Sequence, residues 1–295
     1  MMAQLHLGLI LPNYGEGLDA ERLAAAAVAA EESGFDSGWV TDHLIVPPEH
    51  APIYGTIAEA LVSLGFLAGR TSRLQLGVSA LVVPQRNPLV ALKQLTTLDL
   101  LSGGRIVTAV AAGWMEGEFA LLGADFERRG RVLNEWLELA ASAFEQMPGQ
   151  HDEVGGWLAP DLVRPGGPEL WVAGVSRATL RRAARTGVWH PVALRPQKLR
   201  EMAAELREQR PDARAILRIG VYVQDEPETG ADERGRHAIA GPPDWIAERL
   251  AEYVDAGCDG FVVNLDHTAP GLEERVAAFA AEVRPFLSGS GQSSS

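Results

Sequence analysis

The chain has 295 residues, 46% hydrophobic and 22% charged, with a formal net charge of −13. That composition supports a large buried core in one α/β unit. Its acidic surface repels phosphate backbones and anionic lipid, so neither nucleic acid nor a membrane is expected as a partner. One cysteine, Cys258, leaves no internal disulfide and no cysteine metal cluster; a buried structural thiol is expected. No apolar run approaches the roughly 18 residues of a membrane-spanning helix. The start, MMAQLHLGLILP, lacks a cationic segment and a cleavage site and reads as a first strand rather than a signal peptide, so a cytoplasmic location is expected.

In chain order, Leu5 to Leu11 is the first strand, closed by Pro12-Asn13-Tyr14-Gly15. An alanine-rich helix follows from Asp19 to about Ser33 and stops at Gly34. Gly38 to Thr41 is the second strand, ending in Asp42-His43. A proline-rich loop (Pro47, Pro48, Pro52) leads to a helix from Thr56 to Ala68. In RLQLGVSALVVPQRNPLVALKQ (73–94), Leu74, Leu76, Val78 and Ala80 alternate with Gln75, Gly77 and Ser79, which predicts the third strand, interrupted by small residues. Asn87-Pro88 supplies an N-cap and a first-turn proline for a helix to Leu100. Arg105 to Ala111 is the fourth strand; a loop runs to Gly130, then a helix from Arg131 to Gln146. The Gly- and Pro-rich run 148–168 is an excursion, read as a short hairpin.

Leu170 to Ala173, Val188 to Leu194, Ala215 to Gln224 and Gly260 to Leu265 are the last four strands. Helices end at Arg185 and span Gln197–Arg210, Pro243–Ala256 and Gly271–Phe286; Asp225 to His237 is a polar loop. Residues 288–295 read as a disordered tail, leaving 1–287 as one domain. Eight strand–helix units of this length predict an α/β fold of the closed (β/α)8 kind, with an insertion between the fourth helix and fifth strand. An open doubly wound sheet is the alternative, weakened by the absence of GxGxxG after the first strand.

In such a barrel the chemistry sits where strands end. The strand ends carry Asn13, Tyr14, Asp42, His43, Ser79 to Val83, Ala112 to Trp114, Gly174 to Ser176, His190, Asp266 and His267. His43 and His190 can move protons near neutrality, with His267 a weaker third; His190, before Pro191 in an apolar strand, reads more as structure. Asp42 and His43 are adjacent, so at most one faces straight into the barrel mouth. No HxH or HExxH spacing demands a metal, and neither a GxSxG elbow nor a P-loop appears. Strand ends rich in Gly, Ala, Ser and Trp suit a planar ligand against backbone. Gly174-Val175-Ser176-Arg177 opens a helix, which reads equally as a phosphate site or as an ordinary Ser cap.

The chain resembles the luciferase-like monooxygenase superfamily, and looks closest to its actinobacterial oxidoreductases that use the deazaflavin F420. The resemblance rests on LGLILPNYG (7–15), AEESGFDSGWVTDHL (30–44), the run from Leu74 to Trp114, RGRVLNEWLEL (129–139), LWVAGVSRATLRRAARTG (170–187) and PPDWIAERLAEYVDAGCDGFVVN (242–264). It implies a non-proline cis peptide at Ser79–Ala80, behind the cofactor ring. It implies that Asp42 bonds a ring-edge group and that His43 exchanges a proton with substrate. It also implies that Ala112, Gly113 and Trp114 border the ring and that Gly174, Val175 and Ser176 hold the cofactor phosphate.

The resemblance is not complete. Trp114 stands where sugar-phosphate dehydrogenases of the family keep an acid, which argues against a sugar phosphate as substrate. Gly187-Val188-Trp189-His190 replaces a Gly-Asp-Gly-Trp run. The implied activity is F420-dependent hydride transfer to or from a small organic substrate. The alternatives are an FMN-dependent monooxygenase fed by a separate flavin reductase, a non-catalytic cofactor-binding protein, and a cofactor-free barrel lyase or isomerase. The resemblance also suggests a homodimer, with the helix Ile57 to Leu67 as a candidate interface. Loops 44–55, 115–129, 148–168 and 225–241 are expected to set the substrate.

Overall fold

The computed structural model describes residues 5–152, 154–231 and 236–285. The strands are β1 (His6–Ile10), β2 (Ser37–Val40), β3 (Gln75–Val82), β4 (Ile106–Ala111), β5 (Gly149–His151), β6 (Gly156–Leu158), β7 (Glu169–Ala173), β8 (Val188–His190), β9 (Arg214–Val223), β10 (Glu228–Ala231), β11 (His237–Gly241) and β12 (Gly260–Asn264). The helices are α1 (Ala20–Glu32), α2 (Ala51–Tyr54), α3 (Ala60–Ala68), α4 (Pro88–Ser102), α5 (Glu116–Leu121), α6 (Arg129–Gln146), α7 (Arg177–Thr186), α8 (Pro196–Gln209), α9 (Pro243–Asp255) and α10 (Leu272–Glu282). Hydrogen-bonded neighbours run β9-β12-β1-β2-β3-β4-β7-β8, and β8 pairs β9 again. This is a closed eight-stranded (β/α)8 barrel, as the strand–helix alternation implies.

The described residues cluster into two compact units. One draws on Met1–Pro12, Glu21–Trp39 and Trp171–Ser295, the other on Asn13–Ala20 and Val40–Leu170. In the first unit β1 lies parallel between β12 and β2, with Leu9 opposite Val263 and Gly38. Its interior is built on indoles: the buried Trp39 ring sits 4.6 Å from Trp171 and stacks on His190 at 5.4 Å. In the second unit β3 and β4 run parallel from Leu76 opposite Ile106, and α3 and α4 cover them with Leu64, Leu67, Leu92 and Leu95, all buried.

The local chemistry follows the sequence closely at α4. Asn87 Oδ1 accepts from the Leu89 and Val90 N–H groups at 3.0 and 3.2 Å, and Gly103 ends the helix in the left-handed region at φ 69°. The 148–168 excursion contains an antiparallel hairpin, Gln150 opposite Trp157.

Several expectations need correction. The second helix begins at Ala60 rather than Thr56, because Glu59 caps it through the Val62 N–H at 2.7 Å. The expected loop 115–129 contains α5. The proline-rich loop contains a short 3-10 turn (Pro48–His50) followed by α2. The polar segment 225–237 contributes β10, which pairs antiparallel with β11. The expected tail, 288–295, lies outside the described residues.

Asp99 is a titration probe of the second unit. Its buried carboxyl is pushed above the ordinary range by desolvation, against the opposing pull of Arg164 and the Ile106 N–H. The folded chain therefore binds this proton more tightly than the unfolded chain, and this site adds stability as pH falls through its folded pKa. We expect the urea midpoint of the wild type, relative to that of Asp99→Asn, to rise as pH is lowered from 8 toward about 4. Parallel midpoint-against-pH curves for the two proteins would count against this.

Candidate active site

The ends of β2, β3 and β4 in the second unit bring together most of the residues singled out in the sequence. Asn13 is buried and fully used. Its Oδ1 accepts from the Thr41 N–H at 2.8 Å, and its Nδ2 donates to the carbonyls of Thr41 at 2.8 Å and Ala58 at 3.1 Å. It fixes the backbone just before Asp42.

Asp42 and His43 then turn to different partners. The Asp42 carboxylate is buried and accepts three hydrogen bonds. Oδ2 takes the Val82 N–H at 2.9 Å and Arg86 Nη1 at 2.8 Å; Oδ1 takes Arg86 Nη2 at 2.6 Å. Arg86 also reaches Glu59 Oε1 at 3.2 Å. Burial lowers the Arg86 pKa, but the carboxylates of Asp42 and Glu59 outweigh it and leave the guanidinium above its ordinary value. The acid expected to meet a cofactor edge is thus held by a bidentate arginine that also grips the end of β3.

His43 is 5% exposed and its Nδ1 lies 2.8 Å from Glu118 Oε2. The other Glu118 oxygen accepts the Leu44 N–H at 2.6 Å and approaches the Ile45 N–H at 3.4 Å. Glu118 is 1% exposed. Burial pushes its carboxyl up, but the bonds from His43 and Leu44 prevail and hold it below the ordinary carboxylate range. The short helix α5 delivers this acid. Gly117 lets α5 lie against the loop after β2, because a Cβ there would meet Pro47 Cγ at 2.8 Å. The His43 ring packs 4.3 Å from Tyr54 and edge-on to Trp114 at 6.1 Å; Trp114 is also edge-on to His50 at 5.3 Å. Trp114 is 57% exposed.

The peptide between Ser79 and Ala80 is cis, and the β3–β4 register shifts between Ser79 and Leu81. Ala80, Ala112 and Gly113 are half-buried and carry no side chain larger than a methyl. Gly113 has φ 92°, and a Cβ there would lie 2.7 Å from both Val82 and Phe119. These strand ends therefore present backbone rather than side chains, a surface on which a planar ring can lie.

In the first unit, Ser176 caps α7 by accepting the Thr179 N–H at 3.1 Å, with Gly174 at φ 127° and Val175 exposed. His190 is fully buried. Desolvation drives its pKa down to about 3, so the ring is neutral, and its Nδ1–H donates to the Ile216 carbonyl at 2.7 Å. It belongs to the interior, as its setting before Pro191 suggests. His267 is buried and its Nδ1 meets Asn264 Oδ1 at 2.8 Å. Cys258 is buried, and desolvation pushes its thiol up to about 12. Among the described residues no group of three or more His, Cys, Asp or Glu could hold a metal ion.

Two residues of the β2–β4 end escape the sequence reading: Glu118, whose only signal is the acidic spacing Glu116-x-Glu118 after the fourth strand, and Arg86, inside the PQRNP turn. A cleft of about 430 Å³ in the first unit is lined by residues that include Tyr222, Gln224, Glu228, Asp266 and Arg275. It draws on the loop 225–241 expected to bear on substrate.

The family model for luciferase-like monooxygenase matches residues 5–239. An uncharacterized protein of Mycobacterium tuberculosis strain H37Rv is 29% identical over 200 residues, 62% of this chain and 70% of that protein. The alkanal monooxygenase alpha chain of Photorhabdus luminescens is 25% identical over 164 residues, 54% of this chain and 44% of its own length. The match to a Sinorhizobium fredii protein without assigned activity likewise spans only 46% of that relative. Among solved structures, an F420-dependent secondary alcohol dehydrogenase in complex with an F420-acetone adduct superposes with a TM-score of 0.76 at 17% identity, covering 97% of this chain and 99% of that one. At that identity the likeness is one of fold.

Arg86→Leu tests the ionic lock. Removing one partner leaves Asp42 buried without its counter-charge, which costs about 3–5 kcal/mol. We expect that loss in urea unfolding, and a much smaller one for the double variant Asp42→Asn/Arg86→Leu. Equal losses in the two would show that packing, not charge, is at stake.

Proposed function

Because the chain belongs to the luciferase-like monooxygenase family, we propose that it is an oxidoreductase that moves a hydride between bound F420 and a small, uncharged organic substrate. His43 gives or takes the accompanying proton. The observation that carries this reading is the buried, carboxylate-paired His43 at the end of β2, in the same unit as the register shift between Ser79 and Leu81 and the side-chain-poor strand ends.

The residues fit a planar hydride carrier. Ala80, Ala112 and Gly113 offer backbone for its ring, and Trp114 borders it. A deazaflavin held there would supply the hydride chemistry, while the protein supplies orientation and proton control. Asp42 contributes by holding the strand ends in register through Arg86 and the Val82 N–H.

The substrate class follows from charge. Arg86 is engaged by Asp42 and Glu59, and Trp114 presents an apolar face where a sugar-phosphate enzyme of this family carries an acid. This supports a neutral alcohol or carbonyl compound over a phosphate ester. A second reading, an FMN-using monooxygenase served by a separate reductase, is favoured by the alkanal monooxygenase relative. A cytoplasmic location and a homodimer complete the proposal, and no helix among the described residues is long and apolar enough to cross a membrane.

Titration with F420 and, separately, FMN, followed by fluorescence, decides between the cofactors. Tight binding of F420 alone is expected. Preference for FMN together with oxygen consumption would move the protein to the monooxygenase reading. With the bound cofactor, His43→Ala is expected to keep the cofactor affinity within about twofold and to lose about 10²- to 10⁴-fold in kcat, the usual worth of a positioned proton-transfer group. Unchanged kcat would remove His43 from the reaction.

A further inference from the structure

Glu118 stands four residues beyond Trp114, off the end of β4, on a helix of only six residues. One of its oxygens is committed to the Leu44 N–H and the other faces His43 Nδ1. An ionised carboxylate can only accept, so the ring nitrogen beside it must carry the hydrogen. Among the described residues this leaves Nε2 without a hydrogen-bond partner.

We propose that Glu118 is the positioning residue of the site, holding His43 as the Nδ1–H tautomer so that Nε2 is the atom that exchanges the proton with substrate. This inference rests on the reading of His43 as the proton-transfer group. In the oxidising direction the substrate O–H bond breaks and its proton passes to Nε2. The electron pair of the substrate C–H bond would leave as hydride to a deazaflavin hydride acceptor as the carbon–oxygen double bond forms. The imidazolium then bears a hydrogen on each nitrogen, its charge balanced by the Glu118 carboxylate. Reduction runs the same steps in reverse. Glu118 touches neither substrate nor cofactor in this scheme; it fixes the ring's orientation, tautomer and charge balance.

The loop anchor makes the test specific. In Glu118→Gln the Leu44 N–H still requires the amide oxygen, so the amide NH₂ turns toward His43 and donates to Nδ1, forcing the hydrogen onto Nε2. The experiment is ¹⁵N NMR of the full chain labelled at histidine, at a pH where the ring is neutral, with the His43 signals identified by their loss in His43→Ala. The wild type is expected to show a protonated Nδ1 and an unprotonated Nε2, and Glu118→Gln the reverse. In turnover Glu118→Gln is expected to lose about 10²- to 10⁴-fold in kcat with KM changed less than about threefold, and Glu118→Asp to recover part of the loss.

A wild-type His43 protonated on Nε2 overturns the proposal, and so does a Glu118→Gln protein with wild-type kcat where His43→Ala is inactive. If His43→Ala itself turns over normally, the functional reading fails, while the NMR measurement still decides the tautomer without cofactor or substrate.

Discussion

The buried pairing of Arg86 with Asp42 is the constraint on which the rest of the site depends. A guanidinium and a carboxylate taken out of water are costly unless each finds a geometrically matched partner, and the two parallel bonds at 2.8 and 2.6 Å provide that match. The same carboxylate accepts the Val82 N–H. The end of β2 is thereby fixed to the residue that closes β3, immediately after the register shift at Ser79 and Leu81. Asn13 performs the neutral counterpart of this role one residue earlier, through Thr41. His43 thus follows a backbone held on two sides before any ligand arrives.

Alternation along an extended chain sends neighbouring side chains to opposite sides, and the Asp42-His43 pair uses this to separate two tasks. Asp42 turns to a cation, Arg86, and His43 to an anion, Glu118. The counter-charges come from different parts of the chain, Arg86 from the turn after β3 and Glu118 from α5 after β4. The two pairs share no side chain, so the tie between the ends of β2 and β3 does not run through the contact of His43 with Glu118.

The strand–helix alternation, the Asn87 cap and the hairpin in 148–168 were legible because each depends on residues close in sequence. The buried thiol of Cys258 and the interior place of His190 were legible from their apolar settings. The cis bond at Ser79–Ala80 came from resemblance to a family rather than from periodicity, which shows only that the residues there are small. The partnership of His43 with Glu118 was not legible at all. The two lie 75 positions apart, and α5 is too short, with Gly117 in its first turn, to show a helical period. Arg86 was hidden differently: it sits in a turn between two prolines, where a reading that asks what ends the strand has no reason to ask what the side chain holds. β10 was missed because its residues, Glu228–Ala231, carry no apolar alternation.

Trp114 has a further consequence, an optical one. Trp39, Trp136, Trp171 and Trp189 are fully buried, whereas Trp114 stands more than half in solvent with its edge toward two imidazoles. Solvent around an indole shifts its emission to the red, so Trp114 is expected to emit to the red of the interior indoles and to respond to whatever settles over the β4 end. Trp157, the other strongly exposed indole, lies in the hairpin at β6. Trp245 is half-buried. With phenylalanine in place of both Trp157 and Trp245, the red edge of the protein's own fluorescence becomes a native reporter of events beside His43, with no dye attached.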